Sequence, residues 1–162
     1  MAKTLTTLLP PKSTYHLLSV GGKHGEGSRQ YYPDPHIQIT TIDLVTGWDV
    51  MEKGLPDGPW DIILAHNFIE HIPRTDYFLE ECRRIMSKDT WLDIETPNMA
   101  SWFNRLCLLL GYLPHPCEVS DQINVGKLIS GELARHLRVF TTRALLQLLR
   151  YHGFQIHHVM GM

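Results

Sequence analysis

Between Tyr15 and Asp43 the chain spells a strand, a glycine-rich turn and a second strand ending on a carboxylate, and this succession restricts the available folds more than any other stretch. Tyr15-His-Leu-Leu-Ser-Val20 is a short apolar run halted by Gly21-Gly22-Lys23-His24-Gly25. Ile37-Gln-Ile-Thr-Thr-Ile42 alternates apolar and polar residues and then delivers Asp43. Parallel neighbours need a crossover of a dozen residues or more, normally with a helix. Only residues 26–32 are free for one before Pro33-Asp-Pro35 breaks the pattern, so the first crossover helix is expected to be shortened to about two turns or lost. Two adjacent strands, a turn that lets a ligand approach backbone, and a carboxylate at the second strand tip form a nucleoside-binding geometry.

Downstream, Asp61-Ile-Ile-Leu-Ala65 is apolar without alternation, the pattern of a strand covered on both faces, and it stops at His66-Asn67. Thr90-Trp-Leu-Asp-Ile-Glu95 reads as a further strand closed by Pro97. A helix is expected over 75–86, where Phe78, Leu79, Cys82, Ile85 and Met86 recur at helical spacing and Glu80 stands on the polar side, placed to pair with Arg84. Asn98 is placed to cap a helix over 99–110 that Gly111 ends, and Thr141 to cap a last helix ended by Gly153. Met99, Trp102, Phe103, Leu106, Cys107, Leu109 and Leu110 cover too much of the first of these for a single buried side, so it is expected under a lid or against another chain. A short strand around 48–51 and a final one over 154–160 complete the reading. Strands alternating with helices define an α/β fold around a mostly parallel sheet. Residues 1–14, with Pro10-Pro11, read as a loose leader, and 15–162 as one domain with a lid-like segment over 112–140. Ligands of such sheets bind beyond the carboxyl ends of the strands. Gly21, Gly22, Gly25, Asp43, His66, Asn67 and Asn98 all fall there.

Composition excludes several classes of partner. A formal charge of −2 with no Lys/Arg cluster argues against nucleic acid. The run Leu106-Cys-Leu-Leu-Leu110 is far too short to span a bilayer, so no membrane partner is expected. The amino terminus has no apolar segment with a cleavage site, and three cysteines without ligand spacing suit a reducing compartment, so a cytoplasmic location is expected. Ten histidines show no H-x-x-x-H helical pair, and His157-His158 is too little by itself, so no metal is expected.

The ligand is narrowed by what the turn lacks. A dinucleotide wants G-x-G-x-x-G opening a full helix whose positive end takes the pyrophosphate. Gly25-Glu-Gly27-Ser-Arg-Gln30 fails at the third glycine, and Lys23 is followed by His24 where a P-loop needs Ser or Thr. An adenosine without phosphate fits better. At this point the chain resembles the class I S-adenosylmethionine-dependent methyltransferases, over about residues 15–160. The carriers are Leu17-Leu-Ser-Val-Gly-Gly-Lys-His-Gly25, Ile42-Asp43, Trp48-Asp49, Leu55-Pro-Asp-Gly-Pro-Trp-Asp-Ile-Ile-Leu64, Ile69-Glu-His-Ile72, Phe78-Leu-Glu-Glu-Cys-Arg-Arg-Ile-Met86 and Ile94-Glu-Thr-Pro-Asn98.

The resemblance implies a Rossmann-like sheet with flanking helices and S-adenosylmethionine as cofactor. It further implies a small-molecule methyl acceptor, of the sugar or cell-envelope type used by small bacterial members. Gly21, Gly22 and Gly25 would approach the methionyl part, Asp43 would take the ribose hydroxyls and Asp49 the adenine amino group, with His66 and Asn67 bordering the methyl group. His66 and His136 are the expected catalytic bases, with His115, Glu118 and Asp121 as further candidates in the lid-like segment. Glu70-His71 resembles a recurring signature whose usual contribution is structural; in some quinone-modifying relatives a similar stretch binds a divalent cation, but Asn67 stands here where those relatives carry a carboxylate, so no metal is expected. The family turn usually has glycine where Lys23 stands, and the chain stops where a final antiparallel strand is expected, leaving the sheet without it or with an exposed edge. These departures motivate an alternative: a catalytically degenerate binding or dimerisation module, a homodimer meeting through helix 99–110.

Overall fold

Four of the apolar runs become strands. A computed structural model describes residues 9, 11–22, 30–129, 131 and 133–161. β1 (Tyr15–Val20), β2 (Ile37–Ile42), β3 (Ile62–His66) and β4 (Trp91–Glu95) form one parallel sheet in the order β2-β1-β3-β4. The helices are α1 (Val50–Lys53), α2 (Thr75–Ile85), α3 (Trp102–Leu109) and α4 (Thr142–Tyr151), with single 3-10 turns at Leu44–Thr46 and Ile69–His71. The chain divides into two compact units, Met1–Ile69 with Arg74–Glu95, and Glu70–Pro73 with Thr96–Met162.

The first unit carries the sheet. All-parallel strands must be covered on both faces, and the central pair is: Leu17, Leu18, Ile62 and Ile63 are fully buried. One face joins Leu17, Ile62 and Leu64 to Leu9, Tyr15, Tyr32 and Ile37 in a single apolar cluster. Leu9 and Lys12 come from the stretch read as a loose leader, and both are tied to this unit. Leu9 is buried in the cluster, and the Lys12 ammonium pairs with the Asp61 carboxylate. α2 fully buries Phe78, Leu79 and Cys82, and its Phe78 ring meets Phe68 edge-on at 5.1 Å.

Register is set at the amino ends of the strands by Asp61. Its N–H donates to the His16 carbonyl (2.9 Å) and its own carbonyl accepts from Trp91 N–H (2.9 Å). Its carboxylate accepts from His16 N–H (2.9 Å) and from Lys12. One residue thereby joins β1, β3 and β4.

Several local expectations change. The segment around 48–51 is not a strand: Asp49 accepts from Met51 N–H at 2.8 Å and caps α1, which Gly54 ends at φ 68°. The helix expected over 99–110 starts later, because Asn98 accepts from Ala100 N–H in a local turn and Ser101 becomes the cap. Trp102 is 75% exposed, and Leu108, Leu109 and Leu110 are exposed beside it. The segment 154–160 is irregular rather than a final strand. Of the first crossover, Gln30 and Tyr31 are helical, and 23–29 lie outside the described residues.

The acidic partner of Arg84 is Glu81, not the expected Glu80. Glu81 accepts from Arg84 at 2.8 Å and from Leu55 N–H at 2.8 Å, and Arg84 also reaches Asp57 and the Leu55 carbonyl, pinning the 55–57 loop to α2. The Arg84 hydrogen bond lowers the Glu81 carboxyl from its ordinary 4.5, outweighing a desolvation that acts the other way. A carboxylate depressed in the folded state contributes stability above its unfolded value and loses it as pH falls through the folded value. The Glu81 contribution is therefore full at neutral pH, begins to fall near pH 4.5 and is gone once pH is below the folded value. Urea titrations from pH 7 down to pH 3 should show wild type losing more stability than Glu81→Gln, and the two curves should converge at the acid end.

Candidate cofactor site

The strand order reverses at β1: β2 lies on one side of it and β3 on the other. Such a reversal opens a crevice at the carboxyl ends of the two diverging strands. A cavity of about 100 Å³ lies there, lined by Ser19, Val20 and Gly22 after β1, Leu64, His66 and Asn67 at the end of β3, and Tyr31. This is smaller than the ~300 Å³ at which whole-metabolite pockets begin.

Gly21 has φ 73°, a left-handed turn that glycine adopts without strain. Its N–H donates to the Ile42 carbonyl at 2.9 Å, which seats the turn against the end of β2, one residue before Asp43. A Cβ at Gly21 would lie 2.4 Å from a Phe68 ring carbon, so the turn and the residue after β3 pack too closely for any side chain. Gly22 lines the cavity. Gly25 and Lys23 lie outside the described residues.

Asp43 caps the 3-10 turn: its Oδ1 accepts from Val45 N–H at 2.8 Å, and Thr46 Oγ1 accepts from Asp43 N–H at 3.0 Å. Its second carboxylate oxygen has no hydrogen bond among the described residues. Trp48 N–H donates to the Asp43 carbonyl, bringing the Asp49 loop back beside it. Neither Asp43 nor Asp49 lines the cavity; both stand beyond the β2 tip, each with one oxygen spent on a cap.

His66 does line it. Its side chain is 8% exposed, with Nε2 3.2 Å from Asp93 Oδ1 and Nδ1 3.4 Å from Glu95 Oε2. Both nitrogens are close to a carboxylate without being aligned for a hydrogen bond. The Tyr31 ring meets the imidazole edge-on at 4.5 Å. Behind it, Tyr32 donates its hydroxyl to Asp93 at 2.7 Å. Burial pushes the Asp93 carboxyl up, but His66 and the Tyr32 hydroxyl more than offset this and hold it below the ordinary carboxylate value. Burial first, and then Asp93, raises the Tyr32 hydroxyl far above a normal tyrosine. Asn67 follows at φ 49°, exposed, with its N–H on the Glu95 carbonyl at 2.9 Å. Asp93 and Glu95 were not singled out from the sequence. The signal was present: two carboxylates alternating at the carboxyl end of a strand otherwise read as apolar share one face of it.

His136 belongs to the second unit. Its Nδ1 lies 3.0 Å from the Pro116 carbonyl and its ring 4.9 Å from that of His71. Glu118 is committed elsewhere: its two oxygens accept from Ala134 and Arg135 N–H at 2.7 Å each, and Lys127 lies 3.7 Å away. Burial raises its carboxyl, and those two backbone bonds with Lys127 bring it below the ordinary value. Among the described residues, no helix is long and apolar enough to cross a membrane.

Comparison with known proteins agrees with this geometry. A family model described as a methyltransferase domain matches residues 1–159. No curated protein sequence matches. A candidate methyltransferase of Bacillus halodurans C-125 is similar in structure with a TM-score of 0.62 at 14% identity, covering 97% of this chain and 70% of that one. A SAM-dependent methyltransferase of Thermotoga maritima, with suggested histamine N-methyltransferase activity, gives 0.53 at 16% identity over 96% of this chain and 70% of its own. The Haemonchus contortus phosphoethanolamine N-methyltransferase 2, solved with S-adenosyl-L-methionine, gives 0.55 at 16% identity over 93% of this chain and 35% of that one.

Gly21→Ala should destabilise the fold by about 1–3 kcal/mol in urea unfolding, since it adds both left-handed strain and a clash with Phe68. A second replacement, Phe68→Ala, relieves the clash and should recover part of that loss in the double variant. A Gly21→Ala protein as stable as wild type would mean that the turn is not packed as described. The parallel sheet reversing at β1, the glycine turn against its end and the match along nearly the whole chain place this protein in the methyltransferase-domain family, with the Rossmann-like fold of the class I enzymes.

Proposed function

We propose that this chain binds S-adenosylmethionine in the β1/β3 crevice and transfers its methyl group to a small molecule, of the sugar or cell-envelope type. The observation that carries the reading is the joint placement of a left-handed Gly21 turn, an Asp43 with one uncommitted carboxylate oxygen beyond β2, and a histidine backed by two carboxylates at the end of β3. Charge supports the cofactor. The described lining of the cavity holds no lysine or arginine, and Asp93 and Glu95 stand behind His66. That environment suits a cationic sulfonium and opposes a pyrophosphate. The relatives support a small acceptor, since the names they carry refer to phosphoethanolamine and, as a suggestion, histamine.

The chemistry asks little of the protein beyond placement. The acceptor lone pair forms the new bond to the methyl carbon as the carbon–sulfur bond breaks, and S-adenosylhomocysteine leaves. Holding donor and acceptor in line supplies most of the acceleration. For a protic acceptor, His66 takes the proton once its imidazole turns from the flanking carboxylates toward the acceptor.

Calorimetry with S-adenosylmethionine and S-adenosylhomocysteine tests the binding. Asp43→Asn is the informative variant: asparagine caps as well as aspartate, so stability should be unchanged, while loss of the charged acceptor should weaken either ligand about tenfold or more. His66→Gln should lower kcat by about a hundredfold or more while weakening either ligand less than Asp43→Asn does. No binding at about millimolar ligand would overturn the enzyme reading in favour of a degenerate binding module.

A further inference from the structure

The second unit holds a buried carboxylate without a hydrogen bond among the described residues. Glu70, in the 3-10 turn Ile69–His71, is 1% exposed, and both of its carboxylate oxygens lack a hydrogen-bond partner among the described residues. Buried carboxylates are otherwise paired, hydrogen-bonded or bound to a cation. Two imidazoles stand beside it. One donor atom each from Glu70, His71 and His136 lie within 4.8 Å of one another, although His71 and His136 are far apart in sequence.

The surroundings hold these three groups in place. Leu137 and Arg138 N–H both donate to the Glu70 carbonyl, at 2.8 and 3.1 Å, and the Arg138 guanidinium donates to the Pro73 carbonyl. Glu118 fixes the preceding backbone at Ala134 and Arg135. The Pro116 carbonyl next to His136 Nδ1 can only accept, so Nδ1 carries the proton and Nε2 presents its lone pair. A ring nitrogen donated to a backbone carbonyl, leaving the other nitrogen free, is the usual outer-shell arrangement of a metal-ligating histidine.

We infer that Glu70, His71 and His136 form a site for a divalent transition cation of the zinc type. Two nitrogens and one carboxylate oxygen select zinc over calcium or magnesium, which take oxygen donors. Ligands about 2.1 Å from a tetrahedral ion are about 3.4 Å apart, so the donors close in by rotation of the half-exposed His136 and exposed His71 side chains. Glu70 is the buried member of the three and His71 the exposed one. The ion joins the turn after β3 to the loop before α4, and it neutralises the carboxylate. This site is independent of the methyl-transfer reading.

The test uses the full chain, stripped with chelator and titrated with zinc chloride in calorimetry, and with cobalt chloride in absorption. One equivalent of zinc should bind at about 10 µM or tighter, and cobalt should give visible bands of low coordination number. His71→Ala changes an exposed side chain and should weaken zinc about tenfold or more, as should His136→Ala. Glu70→Gln should weaken it likewise while leaving the melting temperature of the metal-free protein unchanged or higher, because it removes the unpaired charge. A His157→Ala/His158→Ala variant should bind as wild type. No saturable binding at about 100 µM zinc, or binding lost in the 157/158 variant and kept in His71→Ala, would overturn the site.

Discussion

Asp61 is the residue on which the sheet depends. A parallel sheet has no hairpins to fix its register, and sliding one strand by a residue moves its whole side-chain set to the other face. Asp61 prevents that slip with main-chain bonds to His16 on one side and Trp91 on the other, and with a buried carboxylate that holds His16 N–H and Lys12. The lock acts at the amino ends of the strands, and its consequence appears at the carboxyl ends. Leu17 pairs with Ile62 and Ile62 with Trp91, so counting along the strands brings Val20 and the glycine turn beside His66, and His66 beside Glu95. The crevice is therefore the far end of a register set at the other edge of the sheet.

The aspartates beyond β2 have a structural task of their own. Asp43 and Asp49 each spend one oxygen capping a short helical turn, which keeps the loop 43–54 close to the end of β2. The caps leave the remaining oxygen of Asp43 oriented by backbone geometry rather than by side-chain rotamer alone. A binding group held in this way loses little freedom when a ligand arrives. An asparagine at this position preserves the cap and removes the charge, which separates the structural role from the proposed binding one.

The strands and long helices were legible because each is written locally. The apolar run at 61–65, the alternation at 37–42 and the Thr141 cap give nearly the observed limits. The misread elements depended on something other than pattern. Asp49-Val-Met-Glu52 carries a helix-start signature with Gly54 as its stop, and the short apolar pair within it was read as a strand instead. Asn98 and Ser101 are both good caps; Asn98 is occupied by a turn to Ala100 and by Asn104 Nδ2 on its carbonyl, which passes the capping role to Ser101. Alternation over 154–160 specifies a strand only where a neighbour supplies a ladder, which no local pattern reports. The site shows the same division. Glycines, Asp43 and His66 lie at strand tips and could be located by counting, whereas Asp93, Glu95 and Tyr32 matter because of strand neighbours that only the register brings together.

The treatment of buried and half-buried carboxylates separates the finished parts of the molecule from the one that calls for a ligand. Asp61 has two backbone-anchored partners and an ammonium; Glu118 has two backbone N–H groups and Lys127; Asp93 has Tyr32 and the adjacent His66. Each of these charges is met by groups that the fold itself supplies, so its burial is tolerable. Glu70 is buried as deeply as any of them, and among the described residues its oxygens meet no donor. A neutral glutamine would satisfy packing at that position with less penalty than a lone carboxylate. The charge, together with two imidazoles carried by independently anchored segments, is the donor set of a cation site, and the backbone bonds from Leu137 and Arg138 hold those segments together whether or not an ion is present. A site assembled before its ligand arrives avoids the ordering cost of gathering distant chain segments.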